Sequence, residues 1–250
     1  MAREVSSIGR FGLTEPFDFQ VGRGQIAYHS LVNIQGYNAN QHDTFWAVWE
    51  KSDTTDYVFP TTAAAMTFSS TLSETFTMRV EGLDANYVIK TAIVTFSGST
   101  TGVVTSGTST FFRINAMQIT SGTALDTITA TNGGGTVYAQ INPGMGRSQA
   151  SIYTVPYGHT FYLTRAQAFT TNNGTQFCTY RVYSQTISNG ITTPNIVLSA
   201  PFTQSYSSTR VVARAYPEKT DIMWQLKQSN PAPGSIQVEG ILINNLPTAP

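Results

Sequence analysis

Charge is scarce in this sequence. Asp, Glu, Lys and Arg make up 11% of its 250 residues, less than half of the roughly 25% usual in soluble domains. The signs balance, 14 basic against 14 acidic, so the cationic excess that supplies most nucleic-acid affinity is missing. There is no polybasic or amphipathic membrane-surface segment, and no run approaches the ~18 continuous apolar residues that a membrane helix needs. Neither nucleic acid nor membrane is therefore an expected partner. Cysteine occurs once, at Cys178, which rules out an intramolecular disulfide framework. Inside the strand-like run Gln176-Phe177-Cys178-Thr179-Tyr180 it is expected to be a buried, inert thiol. Met1-Ala2-Arg3-Glu4 leads into no apolar stretch, so no secretory signal is expected and the chain is expected to assemble in a cytoplasm.

What the sequence does have is hydrophobic residues at 40% and aromatics at 12%, enough for a real core. Thr, Ser, Asn, Gln and Gly fill the place of the missing charges. Such a surface is hydrated but has little to hold molecules apart, and a net charge near zero favours association. Period-two alternation dominates the chain and helical periodicity is nearly absent. Phe76, Met78 and Val80 share one strand face, with Thr77, Arg79 and Glu81 on the other. Ile222, Trp224 and Leu226 alternate with Met223, Gln225 and Lys227, and Ile236 and Val238 with Gln237 and Glu239. Further β-branched or aromatic runs cover 87–96, 111–119, 160–170, 177–183 and 210–215. Turn clusters separate them at short spacing, as in sandwiches or barrels.

The fold class is accordingly all-β: an extended N-terminal arm plus two antiparallel β-sandwich modules, with jelly-roll and immunoglobulin-like wiring both open. The glycine-rich turn Asn132–Gly135 and the segment Asn142-Pro143-Gly144-Met145-Gly146 read as joints. They divide the chain into an arm (1–30), a first module (31–135), a linker (136–147), a second module (148–246) and a short tail (247–250). In the arm, Phe17, Phe19 and Val21 alternate with Asp18, Gln20 and Gly22, a short strand pattern with no obvious hairpin mate. With Phe11 they form the candidate assembly-interface arm. It is expected either to add a strand to a neighbouring subunit or to pair within its own module.

Signals for chemistry are weak. His29, His42 and His159 have no second His or Cys at metal-ligand spacing, and His42-Asp43 is only a minimal pair. Gly98-Ser99-Thr100-Thr101-Gly102 carries Thr at the centre of a superficial nucleophile elbow, without the strand-turn-helix context, and reads as a hairpin loop. Gly22-Arg23-Gly24 lacks the rest of a dinucleotide fingerprint. Among the carboxylates, Asp53 and Asp56 read as an exposed loop and Asp84 and Asp126 as turn positions, so no acid pair for glycoside hydrolysis stands out. Trp46, Trp49 and Tyr57, and Tyr153, Tyr157 and Tyr162, are read as packing rather than as a sugar-binding face. Asn173-Gly174-Thr175 reads as a hairpin turn. No catalytic, metal or cofactor-binding residues are expected, and the chain is read as non-enzymatic.

Four segments add a resemblance. They are Arg10-Phe11-Gly12 through Glu15–Gly24, Val80-Glu81-Gly82-Leu83-Asp84-Ala85-Asn86-Tyr87, Val155-Pro156-Tyr157-Gly158-His159-Thr160-Phe161-Tyr162-Leu163-Thr164, and Tyr216-Pro217-Glu218-Lys219-Thr220-Asp221-Ile222. In this order they resemble virion structural proteins of short-tailed and related tailed phages, especially those of cyanobacteria. The Pro156–His159 turn departs from the smaller, Lys-containing form in that group. The resemblance implies a capsid decoration or cement protein in the virion, clasping the major capsid protein or other virion proteins, commonly as a homotrimer, with no catalytic residues. A tail, neck or fibre-adaptor subunit is the first alternative, and a receptor- or glycan-binding head appendage the second.

Overall fold

The computed structural model describes residues 15–41, 43–51, 56–171, 177–188 and 191–245. Among the described residues, one short helix, α1 (Phe17–Gly22), precedes sixteen strands. These are β1 (His29–Gln41), β2 (Trp46–Ala47), β3 (Ala64–Ala65), β4 (Thr67–Leu83), β5 (Ile89–Gly107), β6 (Thr110–Phe111), β7 (Arg113–Gly122) and β8 (Ile128–Thr131). They continue with β9 (Val137–Ile141), β10 (Ile152–Thr154), β11 (His159–Thr170), β12 (Cys178–Ser188), β13 (Ile191–Phe202), β14 (Ser205–Tyr216), β15 (Thr220–Gln228) and β16 (Ala232–Asn244). The chain is all-β, and the strand pairs are antiparallel.

Two sheets face each other in the larger module. One runs β1-β16-β11-β14. The other runs β10-β15-β12-β13, with β2 on the same edge as β10. Trp46 and Ala47 stand opposite Leu226 and Gln225, while Ile152 to Thr154 stand opposite Met223 to Asp221. β2 and β10 are thus two halves of one strand position along β15. Counted so, there are eight strands, wired as a jelly roll.

The smaller module is looped out between those halves. Its long strand β4 carries β5 on one side and β7 and β8 on the other, with β9 beyond β8. The pairing redraws the expected boundaries: β1 and β2, placed at the start of the first module, belong to the jelly roll that the C-terminal strands complete. Gly98 to Gly102 reverses the chain within β5, as the expected hairpin loop does: Gly98 takes φ 61°, and beyond the turn Thr105 Oγ1 donates to the Ile93 carbonyl and the Thr108 N–H to the Thr91 carbonyl, each at 3.3 Å. Asn132–Gly135 is a turn as expected, its Asn132 side chain accepting from the Gly134 and Thr136 N–H groups at 3.1 and 3.0 Å.

Each module has its own core. Phe161, Leu163, Tyr180, Val182, Ile222, Trp224, Ile236 and Val238 fill the jelly roll. Phe68, Met78, Val80, Val94, Phe96 and Met117 fill the inserted module. Burying each such side chain stabilises the fold by roughly 1.5–3 kcal/mol. The alternation read along Ile222–Lys227 is real, but Met223 and Gln225 are buried as well. Met223 packs with Trp49, Tyr57 and Ile152 in a third cluster on the outer side of that sheet. Cys178 is buried in the jelly-roll core, as expected.

Residues Phe17–Gly22, expected as an extended strand, are helical. Phe17 and Val21 are separated by four, a spacing that satisfies both period two and one helical turn, so a five-residue pattern cannot separate the two. The Gln20 N–H donates to the Pro16 carbonyl at 3.1 Å and the Arg23 N–H to the Phe19 carbonyl at 3.1 Å. Arg23 also reaches back to the Glu15 carboxylate at 2.7 Å. A helix this short does not persist in water alone; packing of Gln20 and Val21, both buried, holds it.

Candidate assembly interface

The joint between the modules is closely tied. Trp49 and Ala150 bridge where the chain leaves and re-enters the jelly roll. Just inside, the Val48 N–H donates to Ser151 Oγ at 2.8 Å, and Ser151 Oγ donates to the Trp224 carbonyl at 2.6 Å. Gly36 of β1 passes so near that a side chain would collide with the Val48 carbonyl and lie 2.7 Å from Ser151 Cβ.

Beside this neck, Arg113 of the inserted module meets Asp221 of the jelly roll. Nε and Nη2 donate to the two carboxylate oxygens at 2.9 and 2.8 Å, and Nη1 donates to the Pro60 and Phe112 carbonyls. Thr154 Oγ1 and Gln185 Nε2 add donors to Asp221 at 2.6 and 3.0 Å. The guanidinium lies 3.9 Å from the Phe112 ring centroid. Both ions are buried, at 3% and 0% exposure, so the pair depends on this full set of partners.

Three of the four resemblance segments converge here. The Tyr157 N–H donates to the Tyr87 carbonyl and the Lys219 N–H to the Val155 carbonyl, each at 2.9 Å, while the Gly158 N–H donates to Glu218 Oε2 at 2.6 Å. Tyr87 and Lys219 take left-handed φ values of 64° and 60° at these contacts. Glu50, next to the Trp49 bridge, accepts the Gln149 N–H at 3.3 Å. Burial pushes its carboxyl up to about 7, against the opposing pull of hydrogen bonds from the Gln149 and Asn142 backbones.

On the outer face of the β1-β16-β11-β14 sheet lies an apolar rim. Phe17, Phe19 and Leu31 are 52%, 59% and 53% exposed, and the Phe17 ring stands edge-on to His29 at 5.7 Å. Between α1 and the sheet is a hollow of about 670 Å³, bordered by Phe19, Leu31, Thr164 and Ile241. Of the four candidate arm residues, Phe17 and Phe19 lie on this rim. Val21 does not: it is 3% exposed and anchors α1. Phe11 lies outside the described residues. Leu31 was not singled out from sequence, because in a run such as Ser30-Leu31-Val32-Asn33-Ile34 alternation does not reveal which side faces the core.

No protein-family model matches the chain, and no curated protein matches it. Comparison with solved structures returns the structure of infectious bursal disease virus, Gt strain. It is 12% identical, covering 87% of this chain and 73% of that one, at a TM-score of 0.20. At that score the likeness carries no argument.

The other residues marked in the sequence are scattered. His29 and His159 each hold a backbone carbonyl two residues back, at 2.8 Å; His42, Asp53 and the 173–175 turn lie outside the described residues. Among the described residues, no group of three or more His, Cys, Asp or Glu is placed to hold a metal ion. Asp56 is not the exposed loop residue expected. It accepts the Ala47 and Tyr57 N–H groups at 2.8 and 2.7 Å, and burial raises its pKa. Asp84 and Asp126 occupy turns as expected, Asp84 capping Asn86 and Val88, and Asp126 capping Thr71. Trp49, Tyr57 and Tyr153 are buried, Trp46 and Tyr162 are half-buried, and Tyr157 is exposed.

Proposed function

We propose that this chain is a non-enzymatic structural protein of a phage virion, a cement or decoration subunit that clasps the shell built by the major capsid protein. The apolar rim formed by Phe17, Phe19 and Leu31 carries this reading. Contiguous exposed apolar surface marks sites of protein association, and the low, balanced charge of the chain leaves little electrostatic barrier to it. Jelly rolls serve viral capsids but also lectins and cupins, so the rim supports the reading more than the fold does. The buried Arg113–Asp221 pair suits a body that bears load between a seated jelly roll and a projecting module. The subunit acts as a homotrimer, by adhesion alone.

Quantitative mass spectrometry of purified particles tests this. Copies equal to the major shell protein, or a simple fraction of it, are the expected result. A handful of copies replaces the cement role with a tail or neck position, and absence from particles overturns the structural role altogether. A second reading, a receptor-binding head appendage, is favoured by one feature. Leu72 of β4 and Leu125 of the β7–β8 connection stand 54% and 71% exposed on the inserted module, tied together through Thr71 and Asp126.

A further inference from the structure

β1 pairs with β16 and, among the described residues, with no strand on its other side. That edge opens into a cleft of about 450 Å³ between the modules. Its floor is Ser30 to Gln35, and its far wall is built by Arg79, Glu81, Gln118 and Ile89 of the inserted sheet. Arg147 Nη2 donates to the Asn33 carbonyl at 3.1 Å from the cleft side, so the Asn33 backbone faces away from β16. In an antiparallel ladder a residue's N–H and C=O point the same way and alternate along the strand. Leu31 and Gln35 therefore present both a backbone donor and an acceptor to the cleft, and Asn33 presents its N–H, its carbonyl being held by Arg147.

An unpaired edge of this kind is a template for another strand unless charge, proline or a bulge blunts it. Ser30 to Gln35 contains neither Lys nor Pro, and the register with β16 is unbroken there. Arg79 and Glu81 of the wall pair with each other at 2.9 Å, so the charge at the edge itself is Arg147, which an added strand displaces from the Asn33 carbonyl.

The geometry points to residues 1–14 of a second copy as the occupant, added as a strand along the free edge of β1. The Phe17–His29 contact brings the described chain to the start of β1. Fourteen residues span roughly 46 Å when extended, at about 3.3 Å each, and the six-residue edge needs about 20 Å of that. The remainder is enough to cross between subunits. Phe11 and Leu13 fall on one face of such a strand, able to meet Leu31 and Ile89, and charge in the segment is confined to Arg3, Glu4 and Arg10. The inference deepens the assembly reading by naming the surface that receives the arm. It is tested on purified protein without particles, so its failure and the failure of the virion role are separately visible.

The experiment is sedimentation equilibrium of the full chain, compared with Asn33→Pro and with Phe11→Ser/Leu13→Ser. Asn33→Pro removes one N–H that faces the cleft and none that bonds β16. Phe11→Ser/Leu13→Ser leaves every described contact in place and so serves if the proline variant does not fold, which its melting curve reports. Self-association of the wild type above 27.2 kDa, weakened about tenfold or more in both variants, is expected for lost strand pairing and apolar contact. Excess synthetic peptide 1–14 should dissociate the wild-type assembly. A monomeric wild type, including one whose own arm protects the Asn33 amide from hydrogen exchange, overturns the proposal. So does an assembly unchanged by Phe11→Ser/Leu13→Ser and by peptide.

Discussion

Replacing Arg113 with Met should loosen the joint between the modules more than any other single change of similar volume. Asp221 is fully buried and accepts from Arg113 Nε and Nη2, Thr154 Oγ1 and Gln185 Nε2. Without the guanidinium it keeps two neutral donors and no countercharge, and the Pro60 and Phe112 carbonyls lose a donor. Breaking a buried ion pair from one side costs about 3–5 kcal/mol. For a chain of this length that lowers Tm by roughly 6–20 °C, at about 2–4 °C per kcal/mol. Replacing both partners, Arg113→Met with Asp221→Leu, should recover much of the loss, because neither desolvated charge remains. Urea unfolding of the wild type, both single variants and the double variant closes the cycle. A single-variant cost below about 1 kcal/mol, or additive costs in the double variant, would refute the view that this pair locks the joint.

Three other outcomes are expected. Glu50 is held up to about 7 by burial, above its ordinary 4.5, so between those values the folded chain retains a proton that the unfolded chain releases. Stability from this group is complete below about pH 4.5 and is lost as pH rises through about 7; the slope of urea midpoint against pH should therefore be flatter in Glu50→Gln. Gly36→Ala should destabilise by about 1–3 kcal/mol in the same assay, since the added carbon meets the Val48 backbone and Ser151 rather than a flexible side-chain end. Phe17→Ser and Phe19→Ser should leave stability within about 0.5 kcal/mol yet remove the protein from particles, whereas Val21→Ala should cost about 1–2 kcal/mol by thinning the anchor of α1.

Strand existence was legible residue by residue. Phe76, Met78 and Val80, and Ile236 and Val238, point into their cores as the alternation indicates, because side-chain direction in a strand is local and has a period of two. Turns were legible where glycine or Asx side chains carry them, as at Asn132–Gly135. The joint was not. Arg113 and Asp221 lie 108 positions apart, and neither sits in a motif that announces a partner. The candidate interface was half visible: the phenylalanines of α1 stood out, but Leu31 and the cleft behind it did not.

Composition and periodicity by themselves determined that this chain folds into β-strands around aromatic cores with a weakly charged surface. The tertiary structure alone decided that β1 joins β16 from the other end of the chain, and that β2 and β10 are one strand position interrupted by a module. It also decided that Phe17–Gly22 coils as a helix against a sheet. The reason is physical. Alternation states which face of a strand is buried, but every strand offers the same backbone donors and acceptors at its edges, so the choice of neighbour belongs to the packing of the whole.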